Sequence, residues 1–368
     1  MLRSENRKTS DRFVARTSIR LVTVVALLSI GLLAITSVSV SMRASGARDV
    51  NRGTRDGAGK RTNQRLRVPA AATRTPALVA RGLAPMLVIT VDRTDDFLAA
   101  SACTAAANDC SLRGAVGFAN ANPGTTIMVP AGTYSLTIPG GAVEYLSGDN
   151  SIGDLDVTAS GTTISGAGAS STIIRQTQPN DRVIEINPFL DASFMFDISE
   201  VTITGGRETT AVGGGGMIAG ALNNIATITN CIFSGNSATG AGTFGGGGIS
   251  YLGGTLNING STFSGNSTSA SGGGIGYSAG DPAGSPFSTG VLTVTGSNFS
   301  GNTAASASAG GGAADLFDFN LSTSAYNFSS SSFSGNSASG GSGGAIVVES
   351  GGPLTINTCS FSANTAAG

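Results

Sequence analysis

The sequence contains no histidine, no tryptophan and, after Lys60, no lysine. Without histidine, metal binding by the two close cysteines, Cys103 and Cys110, is not expected. The runs Gly213–Gly216 and Gly245–Gly248 lack the lysine and the strand–helix setting that a phosphate-binding loop needs. Charged residues make up 12% of the chain and aromatics 6%. Long amphipathic helices would require far more Leu, Glu, Lys and Ala than this composition offers.

Positive charge is missing from most of the chain. Seventeen of the 21 basic residues fall within positions 1–94. From position 95 onward there are four arginines (Arg113, Arg175, Arg182, Arg207) against 17 acidic residues, a net charge of −13. Such a body repels polyanions, which argues against nucleic acid as a partner. What is abundant is glycine, 55 residues, together with Ser, Thr and Asn. With 40% hydrophobic residues the chain can still bury an elongated core, so wholesale disorder is not expected.

Residues 1–20 are basic, Leu21–Val40 carries no charge, and Ala44-Ser45-Gly46-Ala47 supplies small residues suited to cleavage. Positions 1–47 therefore read as a secretory signal or, if uncleaved, a membrane anchor. Either way the protein is expected to be exported, secreted or held at the cell surface. Residues 48–85, rich in Arg, Gly, Ala and Pro, read as a basic flexible linker. From about 86 onward short β-branched runs begin, with one helical segment. In that segment Leu112, Ala115, Val116 and Ala119 share a face, and Asp109 or Ser111 stands ready to cap it.

The run Cys110-Ser-Leu-Arg-Gly-Ala115, preceded by Cys103 and followed by Val129-Pro-Ala-Gly-Thr-Tyr134, resembles the CSLREA domain of bacterial exported proteins. Gly153-Asp-Leu-Asp-Val157 and Thr163-Ile-Ser-Gly-Ala-Gly168 fit that family's continuation. The resemblance covers about residues 86–205. It departs at Gly114, where the family has Glu, so a role for that carboxylate does not carry over. It implies an N-terminal cap over 86–140 on a right-handed parallel β-helix of the pectin-lyase-like type. In that setting a short capping helix tied by a Cys103–Cys110 disulfide would cover the open end of the β-helix.

The last third repeats one phrase five times, with Phe233, Phe263, Phe299, Phe333 and Phe361 spaced 30, 36, 34 and 28 residues apart. Asn236, Asn266, Asn302, Asn336 and Asn364 follow at position +3. This is the period of a solenoid coil. Apolar residues at −7 and −5 mark a strand with one buried face. Small residues at −2, from Cys231 to Cys359, imply a bend that shifts the register. A further strand follows each glycine cluster. Three strands and three corners per coil give an all-β, three-sided parallel β-helix over 141–368. Phe then forms an internal column and Asn a corner column. Cys231 and Cys359, several coils apart, cannot reach each other. The coil ending at Gly368 is expected to continue beyond it.

Phe-x-x-Asn with Gly-Gly-Ala-Ile is also similar to repeats of the chlamydial polymorphic outer membrane proteins, over about 213–368. That resemblance implies a surface adhesin, although the C-terminal membrane barrel of that family is missing from this sequence.

The pectin-lyase-like fold also hosts polysaccharide lyases and glycoside hydrolases. A lyase needs a base, usually with Ca²⁺, which leaves Arg175, Arg182 and Arg207 as candidates. An inverting glycosidase needs paired carboxylates; Asp154 and Asp156 are the first candidates, with Asp181, Asp191 and Asp197 nearby. Turn chemistry explains such Asp residues equally well. The expectation is a non-catalytic, monomeric, exported β-helix without a cofactor. Its polar faces would bind a surface glycan or a neighbouring cell, touching membrane only through an uncleaved N-terminal segment. The enzymatic alternative would rest on Arg207, Asp154 and Asp156. Function is expected in what varies between repeats, namely Ala238–Phe244, Tyr277–Thr289 and Ala304–Thr323.

Overall fold

The computed structural model describes residues 87–140, 147–188, 193–209, 213–220, 224–240, 245–279, 290–306, 310–319 and 324–367. The leader, the linker and Asp191 lie outside the described residues, as do 241–244, 280–289, 307–309 and 320–323 within the variable loops.

From Val88 to Ala366 the chain winds as a parallel β-solenoid. Four ladders, every named pairing parallel, run along it. The first joins nine strands from Val88–Thr90 through Ile225–Thr229 to Leu354–Asn357. The second joins eight, from Gly132–Leu136 to Ser360–Ser362. The third joins six two-residue strands, from Arg207–Glu208 to Thr365–Ala366. The fourth joins seven, from Leu155–Val157 to Ile346–Val348. A full coil thus carries one strand more than the three expected. The additional strands, such as Ser237–Ala238, follow each Asn corner. Two residues are too short to show a period-2 pattern, so they leave no trace in the sequence.

Each coil follows from its residues. In Ile225–Thr229, Ala226 and Ile228 are buried while Thr227 and Thr229 face out. Asn230 then takes a left-handed conformation, φ 51°, and its counterparts Gly260, Gly296, Ser330 and Thr358 do the same. That single left-handed residue breaks the alternation. Cys231 and Phe233, one and three residues later, therefore point inward, which accounts for the register shift. Within the core, Phe233, Phe263, Phe299, Phe333 and Phe361 stack with ring centroids 4.8–5.0 Å apart and planes within 8° of parallel.

The N-terminal helix, Leu112–Ala121, begins at Ser111, whose Oγ accepts the Gly114 N–H at 2.9 Å. Asp109 is not the cap; its carboxylate instead accepts from the Thr104 N–H. Leu112, Ala115, Val116 and Ala119 are buried, and the helix packs on strands Thr126–Val129 and Leu155–Val157. Cys103 and Cys110 form a disulfide with a Cα–Cα separation of 4.4 Å. Arg113 is fully buried: it pairs with Asp96 and donates to the carbonyls of Asn150, Gly153 and Asp154. A Cβ on Gly114 would lie 1.9 Å from the Ala100 carbonyl oxygen. No glutamate side chain fits at this position.

The fourth ladder is covered on its outer face as well. Leu155 and Val157 point into the core, so the residues between them in register face outward: Asp156, Glu185, Ile218, Ser250 and Asp315. All five are nonetheless buried. The glycine runs close over this face and bond to one another, Gly214 N–H to Gly246 O at 2.8 Å and Gly248 N–H to Gly274 O at 3.1 Å. A Cβ on Gly214 would meet the Ile218 Cβ at 2.9 Å, so side chains are excluded where this cover lies.

Candidate functional site

Two of the enzymatic candidates, Asp154 and Asp156, are buried, 1% and 0% exposed. They sit in a charged knot under the cover of the first coils, with Asp181, Arg182, Glu185 and Glu208. Arg182 pairs with Glu208, lies 3.7 Å from Asp154 and 3.4 Å from Glu185. Carboxylate oxygens of Asp154, Asp156 and Glu185 come within 4.8 Å of one another, a spacing that suits a cation. The Arg182 guanidinium stands among these carboxylates. Burial pushes the Asp154 carboxyl well above its ordinary range; Arg182 opposes the shift, and Asp156, Asp181 and Glu185 reinforce it. Burial alone would lower the Arg182 value, but Asp154, Glu208 and Glu185 hold it raised and charged.

Arg207 lies elsewhere in this geometry. It is exposed and lines a cleft of about 130 Å³ with Arg175, Gln176, Thr177, Gln178 and Gly205. Among the described residues no carboxylate lines that cleft. Arg207 is thus separated from Asp154 and Asp156 by the sheet wall, its own neighbour Glu208 pointing inward to Arg182. Arg182, the third candidate base, is buried in the knot, and Asp197 is on the outer side of the first ladder.

The repeated residues hold the solenoid together. Asn236, Asn266, Asn302 and Asn336 are buried and bond to the coils on either side; Asn266 donates to Asn302 Oδ1 and to the Phe233 carbonyl. At position −2, Ser261, Ser297 and Ser331 each accept a backbone N–H from the preceding coil and donate back to a carbonyl two residues earlier. Cys231 occupies the same column, and burial pushes its thiol up to about 12. Neither Cys231 nor Cys359 forms a disulfide. Sequence reasoning missed the buried Tyr pair: Tyr251 and Tyr277 stack at 5.8 Å and donate to the Thr255 and Gly254 carbonyls.

What faces solvent is regular. On the first ladder Thr227, Asn257, Thr293 and Asn327 align in register, beside Thr229, Asn259, Thr295 and Ser329. On the second, Thr204, Ser234, Ser264, Ser300 and Ser334 align. On the third, Ser237, Ser267, Thr303 and Ser337 align. These columns carry hydroxyls and amides and no charge.

The fold defines the class, a parallel β-solenoid with a disulfide-tied helical cap. No protein-family model, curated protein or solved structure matches the chain significantly.

Proposed function

We propose that the protein is exported to the cell surface or beyond and binds a polysaccharide or cell-wall polymer there without cleaving it. The outward columns of Ser, Thr and Asn carry this reading. They repeat once per coil, and a polymer with its own repeat can meet the same donors and acceptors again and again. Individually weak hydrogen bonds then add through multivalency. An N-terminal segment of signal-peptide character and an uncharged repeat surface support an extracellular setting. The finer class, a right-handed pectin-lyase-like β-helix with a CSLREA-type cap, belongs to the same reading and rests on the sequence resemblance.

Two features speak against the enzymatic alternative, a polysaccharide lyase or glycoside hydrolase of that class. Asp154 and Asp156 are out of reach of a glycan, and the cleft at Arg207 has no carboxylate to hold Ca²⁺ or to act with it. Co-sedimentation of the full chain with a panel of insoluble wall polysaccharides tests the proposal. Retention should fall when Ser234, Ser264, Ser300 and Ser334 are replaced by Ala together. Release of unsaturated products from polygalacturonate or alginate with Ca²⁺, lost in Arg207→Ala, would instead establish the lyase.

A further inference from the structure

The four arginines of the acidic body divide in two. Arg113 and Arg182 are buried and paired with carboxylates. Arg175 and Arg207 are exposed, and among the described residues neither has a carboxylate within ion-pair distance. Both line the same cleft of about 130 Å³. In a body of net charge −13, two exposed guanidinium groups share one small cleft whose described lining holds no carboxylate.

The fold fixes their convergence. Arg175 is the penultimate residue of Thr172–Gln176, on the outer side of the second ladder and in register with Thr204. Arg207 begins the third ladder, in register with Ser237. Between them Gly205, φ 78°, turns the corner; a Cβ there would lie 2.6 Å from the Gln176 carbonyl oxygen, and 3.5 Å from the Arg175 side chain. The floor is held from inside, where Gln176 Nε2 donates to the Arg182 carbonyl and the Arg207 N–H to the Asp181 carbonyl. Thus Arg175 stands between Ser135 and the Thr204–Ser234–Ser264 run of its column, and Arg207 heads the Ser237–Ser267 column.

We infer that the Arg175–Arg207 cleft is a subsite for an anionic group, carboxylate or sulfate, on a glycan that lies along the two adjoining hydroxyl columns. Guanidinium forks suit planar or tetrahedral oxyanions, and the neutral columns beyond suit sugar hydroxyls. The site selects a polymer with acidic residues while the adjoining Ser/Thr/Asn columns, carrying no cation, discourage dense polyanions. This inference rests on the polymer-binding reading and adds the chemistry of the ligand.

The test uses the full chain with three probes: oligogalacturonate, a sulfated dextran and uncharged dextran. Arg175→Gln/Arg207→Gln should weaken binding of an acidic probe about tenfold or more and abolish its salt dependence, with the unfolding midpoint unchanged. The stronger of the two acidic probes identifies carboxylate or sulfate as the group. Equal binding of acidic and neutral probes, unaffected by the substitutions, would overturn the subsite and leave polymer binding standing. Titration of free galacturonate and free sulfate, followed by nuclear magnetic resonance at the arginine side chains, separates the two failures further. Perturbation there in a protein that retains no polymer keeps the anion site and removes the polymer reading; no perturbation overturns the site.

Discussion

Asn266 and Asn302 are joined twice: Asn302 Oδ1 accepts both the Asn266 side-chain amide at 3.0 Å and the Asn266 backbone N–H at 3.1 Å. The Asn302 amide in turn donates to Asn336 Oδ1 and to the Phe263 carbonyl. One side chain therefore bonds four polar groups in the two neighbouring coils. Asn302→Ala removes all four bonds from the buried corner, at a cost of about 2–4 kcal/mol. Urea unfolding of the variant should show this loss; a change near zero would mean that water enters the corner and replaces the amide.

The Phe stack gives a prediction that depends on position. Phe299 is fully buried between Phe263 and Phe333, whereas Phe361 is 46% exposed. Phe299→Ala should cost about 3–5 kcal/mol and Phe361→Ala much less. Comparing the two unfolding midpoints checks this; equal losses would contradict the internal column.

At Gly114 even a methyl group meets the Ala100 carbonyl at 1.9 Å. Gly114→Ala should loosen the helix from the 97–101 segment, at a cost of about 1–3 kcal/mol. Gly114→Glu, which matches the CSLREA pattern, should be worse. Thermal unfolding with the disulfide intact reads the effect.

The charged knot gives a pH dependence. Burial raises the Asp154 carboxyl, and also that of Asp315, where Glu349 adds to the shift. A carboxyl raised in the fold binds its proton more tightly there than in the unfolded chain. Its stabilisation is full below the unfolded value of about 4 and is lost as pH rises through the folded value. Denaturant midpoints should therefore fall as pH is raised from the carboxylate range toward neutral and above. Arg182→Met should cost about 3–5 kcal/mol at neutral pH, because charged carboxylates lose their buried partner, and less in acid.

How much of this was legible follows from which residues advertise themselves. Phe and Asn recur at one spacing, so the coil, its stacked rings and its corner amides could be read directly. The apolar pairs at −7 and −5 set the register for the same reason. The glycine runs were opaque, because a segment without side chains gives no pattern to show that it folds back over Ile218 and Ser250. The Asp154–Asp156 pair misled for a related reason. Alternation places Asp156 outward, as solvent-facing carboxylates would be, yet it is fully buried beside Asp154 and Glu185. The convergence of Arg175 and Arg207 could not be read either, since it depends on two ladders meeting at Gly205.

The most direct measurement is chemical-shift mapping of the full chain with a soluble fragment of whichever wall polymer it retains. A polymer-binding solenoid should show perturbations running along the strands that carry Ser234, Ser264, Ser300 and Ser334, over several successive coils. Perturbations confined to the loops 241–244, 280–289 and 320–323, with the strand columns unchanged, would contradict it.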